Sequence, residues 1–327
     1  MASSVTRDGP CGVLPVAHYT VLADVTNAAN ETQAQRKLSI TVTLPAHGTD
    51  STSWQISRSA PYPVIFFFNG FLLKPAYYGA YANRLATWGY AVVQYDTGRW
   101  PILKDRQELP FFPQLIDWLS TQSELKETID LEYIGVAGHS RGAKLAALHF
   151  ASGLSYVKAA FLVDPVDNTR ETPESVDYPS AAKALKSAKR PVGIAGASVI
   201  TSCNPAGSNW GHFWPSVSNG SWLLEVNGAS HNTFLRASWL VEKALDLLCK
   251  RGPTSHEDTI GLTMPAMTAW MDKELRGVQM ATTDDQQSQK TQDSLLDSFY
   301  TWVQNRVELK LVEFTIKGSK QQPYITA

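Results

Sequence analysis

The sequence predicts an α/β fold in which a mostly parallel sheet is covered by helices on both faces. Two observations predict it. Short, continuously apolar runs recur along the chain, and segments with helical spacing separate them. Strands buried on both faces read as unbroken apolar runs, and their alternation with helices is what a parallel sheet requires. A third observation adds a functional landmark. From Tyr133 to Phe150 an apolar strand runs into Gly138-His139-Ser140-Arg141-Gly142 and leaves as an Ala- and Leu-rich helix.

The elements follow in order. Leu38, Ile40, Val42 and Leu44 alternate with polar residues, which predicts a half-buried antiparallel strand. The apolar runs at 64–68, 91–95, 133–137, 159–163, 192–195 and 222–226 predict buried strands. Helical spacing is expected over 77–88, 110–122, 141–151, 181–188 and 234–249. After Lys250 the alternation weakens, and the polar stretch from Thr282 to Lys290 has the composition of a linker or surface loop. Residues 295–307 then regain helical spacing and 309–316 alternate like a strand. The expected organisation is one domain over 1–327, with a structured C-terminal appendage over about 255–327.

Composition excludes several classes. Lysine and arginine number 29 against 30 aspartates and glutamates, so there is no basic excess to neutralise a run of phosphates, and nucleic acid is not an expected partner. Cys11, Cys203 and Cys249 are far apart and form no Cys-x-x-Cys pair, so reduced thiols are expected and no structural zinc or other metal site is indicated. No apolar run reaches the ~20 residues of a transmembrane helix, and the first residues lack the apolar core of a secretory signal.

Gly-x-Ser-x-Gly between a strand and a helix is the pattern of a nucleophile elbow, which makes Ser140 the candidate nucleophile. A serine hydroxyl needs a histidine to take its proton and an acid to orient the imidazole, and on this fold they follow in the order serine, acid, histidine. Asp164 ends the strand before Pro165 and is the first candidate acid; Asp167 in the same Asp164-Pro-Val-Asp167 run is its rival. His231 follows the strand at 222–226 and precedes a helix, which suits the general base. His212, in Asn209-Trp-Gly-His-Phe-Trp214, competes with it. For the oxyanion, Arg141 N–H is one expected donor, and Phe71 N–H, after Phe68-Asn-Gly, is the other.

Together, Gly138-His-Ser-Arg-Gly142, the Asn69-Gly-Phe71 loop and Asp164-Pro-Val-Asp167 resemble chlorophyllase, a family within the α/β hydrolases. The resemblance spans about 64–235. Ala143 stands where the family has a second glycine, and Asn69 where histidine precedes Gly-Phe. It implies hydrolysis of the phytyl ester of chlorophyll, or of a related phytylated pigment, with no cofactor and with magnesium belonging to the substrate. Ser140, His231 and Asp164 would then be nucleophile, base and acid. Leu72, Leu73, Trp210, His212, Phe213 and Trp214 are candidates for the apolar cleft such a substrate needs. The resemblance further implies a chloroplast or other plastid setting with peripheral contact to the thylakoid membrane, although no transit peptide is visible. A broader carboxylesterase or lipid esterase, and a non-catalytic binding protein on the same fold, are the other readings.

Overall fold

A computed structural model of the chain describes residues 16–26, 35–45, 60–98, 102–277 and 286–319. Among these described residues, nine strands form one sheet. In chain order they are β1 (Val16–Thr26), β2 (Gln35–Pro45), β3 (Tyr62–Phe68), β4 (Ala91–Asp96), β5 (Ile129–His139), β6 (Val157–Val163), β7 (Gly193–Ala197), β8 (Trp222–Val226) and β9 (Val312–Ile316). Their spatial order is β1-β2-β4-β3-β5-β6-β7-β8-β9. The stretch from β4 to β8 is parallel; β1 and β2 at one edge and β9 at the other pair antiparallel. This is the mixed α/β architecture of the α/β hydrolases.

The helices are α1 (Gly79–Thr87), α2 (Asp105–Glu108), α3 (Phe111–Thr121), α4 (Arg141–Ala151), α5 (Ala181–Ala188), α6 (Trp210–Phe213), α7 (Trp239–Cys249), α8 (His256–Met271) and α9 (Gln286–Glu308). Successive strand residues point to opposite faces, and the run Phe66-Phe67-Phe68 shows the result. Phe66 and Phe68 pack with Phe112 and the α3 and α4 side chains, whereas Phe67 packs with Tyr78 and Tyr81 in a second core. That second core continues through α8 and α9, where Trp222 stacks on Phe299 and meets Trp270 edge-on. Because both faces are covered, the central strands are mostly apolar, as the runs in their sequence imply, with Gln94, Lys158 and Glu225 among the exceptions.

Five sequence expectations change here. Helix α7 begins at Trp239, five residues after Phe234, which lies in the 3-10 turn His231–Phe234. Residues 256–271, where regular alternation weakened, form α8, and β1 was not foreseen. Of the expected polar linker, 282–285 lie outside the described residues and Gln286–Lys290 open α9. Cys203 and Cys249, expected as thiols, form a disulfide, because the loop after β7 and the end of α7 meet across 46 residues of sequence; Cys11 lies outside the described residues. Among the described residues, no helix is long and apolar enough to cross a membrane.

Candidate active site

Ser140 occupies the turn between β5 and α4 with φ 59° and ψ −126°. A non-glycine residue there is strained by about 1–3 kcal/mol, a cost the surrounding fold must hold in place. The flanking glycines make the turn possible. A Cβ on Gly138 would lie 2.6 Å from the Gly142 carbonyl carbon, and one on Gly142 would lie 2.2 Å from the Phe68 carbonyl oxygen. Ser140 N–H donates to Val163 O at 3.0 Å, which ties the turn to the end of β6.

The next residue after that strand end, Asp164, also has positive φ, 37°, and its N–H donates to Ala195 O. Its carboxylate is fully buried. Oδ1 accepts from Ala197 N–H at 2.9 Å, while Oδ2 accepts from Asn204 Nδ2 at 3.2 Å and lies 2.6 Å from His231 Nδ1. His231 Nε2 is in turn 2.8 Å from Ser140 Oγ. A carboxylate can only accept, so Nδ1 carries hydrogen toward Asp164 and neutral Nε2 is left to accept from the serine hydroxyl. Three residues from the ends of β5, β6 and β8 thus form one hydrogen-bonded chain, able to shift a proton from Ser140 to an imidazole beside a buried carboxylate.

His139 supports this chain from behind. It is buried, its ring stands 4.6 Å from that of His231, and burial, followed by the neighbouring histidine, holds its pKa well below the usual 6.5. Its Nε2 donates to His231 O at 3.0 Å, so Nδ1 is free to accept, and Tyr78 Oη lies there at 2.8 Å. Tyr78 Oη also accepts from Gly70 N–H at 3.2 Å. The backbone that carries Phe71 and the backbone that carries His231 are therefore joined through two buried side chains.

Arg141 N–H opens helix α4, where the first amides have no acceptor within the helix. Its guanidinium is turned away from Ser140. Nε donates to Asp105 at 2.8 Å, Nη1 to Glu108 at 2.6 Å and Nη2 to Leu103 O at 3.2 Å. Burial disfavours this charge, but Glu108 and Asp105 outweigh burial and hold its pKa above the ordinary value. Lys144, one turn on and buried, reaches Asp105 at 2.9 Å and Asp167 at 3.5 Å. This cluster fastens the 102–109 segment over the elbow.

The rival acid is occupied elsewhere. Asp167 accepts from Ser180 Oγ and from the N–H groups of Ala181 and Ala182, at 2.7, 3.0 and 3.1 Å. It caps α5 rather than meeting His231. His212 is half exposed, 3.7 Å from Asp167, and is not joined to Ser140.

A cleft of about 300 Å³ opens beside the elbow, lined by Gly70, Phe71, Leu72, Leu73, Ile102 and Arg141 among others. Phe71 and Leu72 expose almost half of their surface there. The other candidate cleft residues do not line it. Phe213 is fully buried in the core, Trp210 donates from Nε1 to Ala197 O, and Trp214 lies under Lys317 Nζ. In this segment packing against β7 and the chain end uses up the aromatic rings. Sequence reading missed Tyr78, Asn204, Asp105 and Glu108. One signal was present: Lys144 interrupts an Ala- and Leu-rich helix on the side that carries Leu145 and Leu148, so a buried acid had to face it. Among the described residues, no group of three or more His, Cys, Asp or Glu is gathered as a metal ion would need.

The fold is shared with a ferulic acid esterase from Streptomyces cinnamoneus, to which the chain is 20% identical with a TM-score of 0.61, covering 81% of this chain and 91% of that one. No curated protein matches the sequence. The family model described as Chlorophyllase matches residues 53–299, a span that contains the elbow, Asp164 and His231 and takes in most of the chain. With that match and this fold, the chain is an ester hydrolase that belongs to the chlorophyllase family.

Proposed function

We propose that this protein hydrolyses the phytyl ester of chlorophyll to chlorophyllide and phytol through an acyl-enzyme on Ser140. The observation that carries the reading is the chain Ser140 Oγ, His231 Nε2, His231 Nδ1, Asp164 Oδ2, with separations of 2.8 and 2.6 Å, inside a chlorophyllase-family sequence. His231 takes the hydroxyl proton as Oγ attacks the ester carbonyl, and Asp164 holds the resulting imidazolium. The tetrahedral oxyanion is received by the N–H groups of Arg141 and Phe71. Collapse expels phytol, which takes the proton from His231; water then enters by the same route and releases the pigment acid.

The cleft supports this division of the substrate. A volume of about 300 Å³ is at the small end of ligand cavities, enough for the ester arm and part of an alkyl chain. The tetrapyrrole therefore rests on the rim, where Phe71, Leu72 and Ile102 offer exposed apolar surface. The same dimensions favour a second reading, a carboxylesterase for smaller acyl groups, which the likeness to a ferulic acid esterase also suggests. The setting that goes with the first reading is a plastid, with pigment reached at the thylakoid surface. A fluorophosphonate probe should label the wild-type protein at Ser140 and leave Ser140→Ala unlabelled; labelling that survives in the variant would place the nucleophile elsewhere.

A further inference from the structure

Helix α7 presents an apolar face to solvent. Trp239, Leu240, Leu247 and Leu248 are 67, 71, 87 and 70% exposed, and Lys243 and Ala244 are exposed between them. These positions recur at steps of three and four, so they share one side of the helix. Single exposed apolar residues are ordinary on a protein surface, but a full face of large ones is not.

The opposite side holds the helix in the protein. Cys249 is bonded to Cys203, Asp246 accepts from Asn232 Nδ2, and Glu242 accepts from Ala237 N–H at 3.0 Å. Both acids of α7 are thereby turned inward. Exposed charge on and just after the helix is cationic, from Lys243 and Lys250, while Arg251 stands 3.7 Å from Asp246.

We propose that α7 is an interfacial helix that lays the protein on an anionic lipid surface. A wide apolar face with a tryptophan, a lysine that can extend its long stem to the headgroups and a cation at the helix end is what buries at the boundary between headgroups and acyl chains. Charge decides against a second copy as the occupant: two like faces would bring the same cations together, whereas a layer of anionic headgroups neutralises them.

The docking helix is coupled to the site by short paths. It follows the turn that carries His231, and Asn232 in that turn contacts Asp246. Its C-terminal disulfide ends at Cys203, next to Asn204, which donates to Asp164. Lipid binding deepens the reading of an ester drawn from a membrane, and it is measured without turnover.

The test is co-sedimentation with vesicles of phosphatidylcholine, alone or mixed with phosphatidylglycerol. Wild-type protein should pellet with the mixed vesicles and less with the neutral ones, and added salt should weaken the binding without abolishing it. The variant Leu240→Asp/Leu247→Asp/Leu248→Asp should lose binding at least about tenfold while keeping wild-type hydrolysis of a soluble short ester. Lys243→Gln/Lys250→Gln, which removes the cations and no apolar side chain, should lose the preference for the anionic vesicles. Wild-type protein that pellets with neither vesicle, or undiminished binding by either variant, overturns the proposal. So does a solution dimer that the aspartate variant dissolves, since the face would then be a contact between copies of the chain.

Discussion

Tyr78 donates its hydroxyl hydrogen to Nδ1 of His139 at 2.8 Å, across 61 residues of sequence. Because the same oxygen accepts from Gly70 N–H and His139 Nε2 donates to His231 O, one phenol fixes the spacing between the Phe71 backbone and the histidine beside Ser140. Tyr78→Phe keeps the ring in its core and removes both bonds. The expected result is a folded protein with kcat lowered about tenfold, the loss corresponding to ~1.4 kcal/mol of positioning, and KM little changed. Equal falls in kcat and thermal stability would assign the tyrosine a merely structural role.

The two aspartates of the Asp164-Pro-Val-Asp167 run should separate cleanly. Asp164→Asn leaves a hydrogen-bond partner for His231 in the wrong tautomeric sense, and kcat should fall by on the order of 10⁴, as removal of the same charge does in a serine protease. Asp167→Asn should instead lower stability, by about 1–3 kcal/mol, because Lys144 and the N-terminus of α5 lose a buried charge. Single-turnover kinetics and urea melts on both variants check the assignment.

Buried histidines set an acid limit on stability. His149 packs against the rings of Phe68 and Phe112, and burial pushes its pKa down to about 3; His139 is lowered by burial as well. With folded values below the unfolded value of 6.5, the unfolded chain binds more protons. Their stabilising contribution is therefore complete above about pH 6.5 and is lost progressively as the pH falls below it. At about pH 5 the loss for His149 is ~2 kcal/mol. His149→Phe should flatten the fall of unfolding free energy between neutral pH and pH 5 by about that amount, read from denaturant melts across the range.

The Cys203–Cys249 bond closes a loop that contains β8, His231 and α7. Cys203→Ser/Cys249→Ser should lower the unfolding free energy by about 2–4 kcal/mol, the range for a native cross-link. Reduction of the wild-type protein should reproduce the shift, and an unchanged melting temperature would show that the bond does not constrain the fold.

The strands at the centre of the sheet were legible because burial on both faces leaves an unbroken apolar run. The helix α8 was not legible, for the same physical reason in another form. Enclosed by the sheet and α9, it buries residues all round, from Thr259 to Met271, so it lacks the one-sided period that marks a surface helix, and Pro265 reads as a break. In the site, Ser140, Asp164 and His231 each sit at a strand end, which sequence can locate. Tyr78, Asn204 and the disulfide partners depend on loops meeting in space, and spacing along the chain carries no trace of that. Asp167 shows the converse: its motif made it a candidate, and only the cap on α5 shows where its carboxylate goes.

The most direct measurement compares kcat/KM for chlorophyll a dispersed in detergent, followed as phytol release, with kcat/KM for a short p-nitrophenyl ester, using Ser140→Ala as the control. The pigment should be the better substrate by at least about tenfold, and both activities should vanish in the variant. A preference for the short ester, or phytol release that survives without the Ser140 hydroxyl, would contradict this reading.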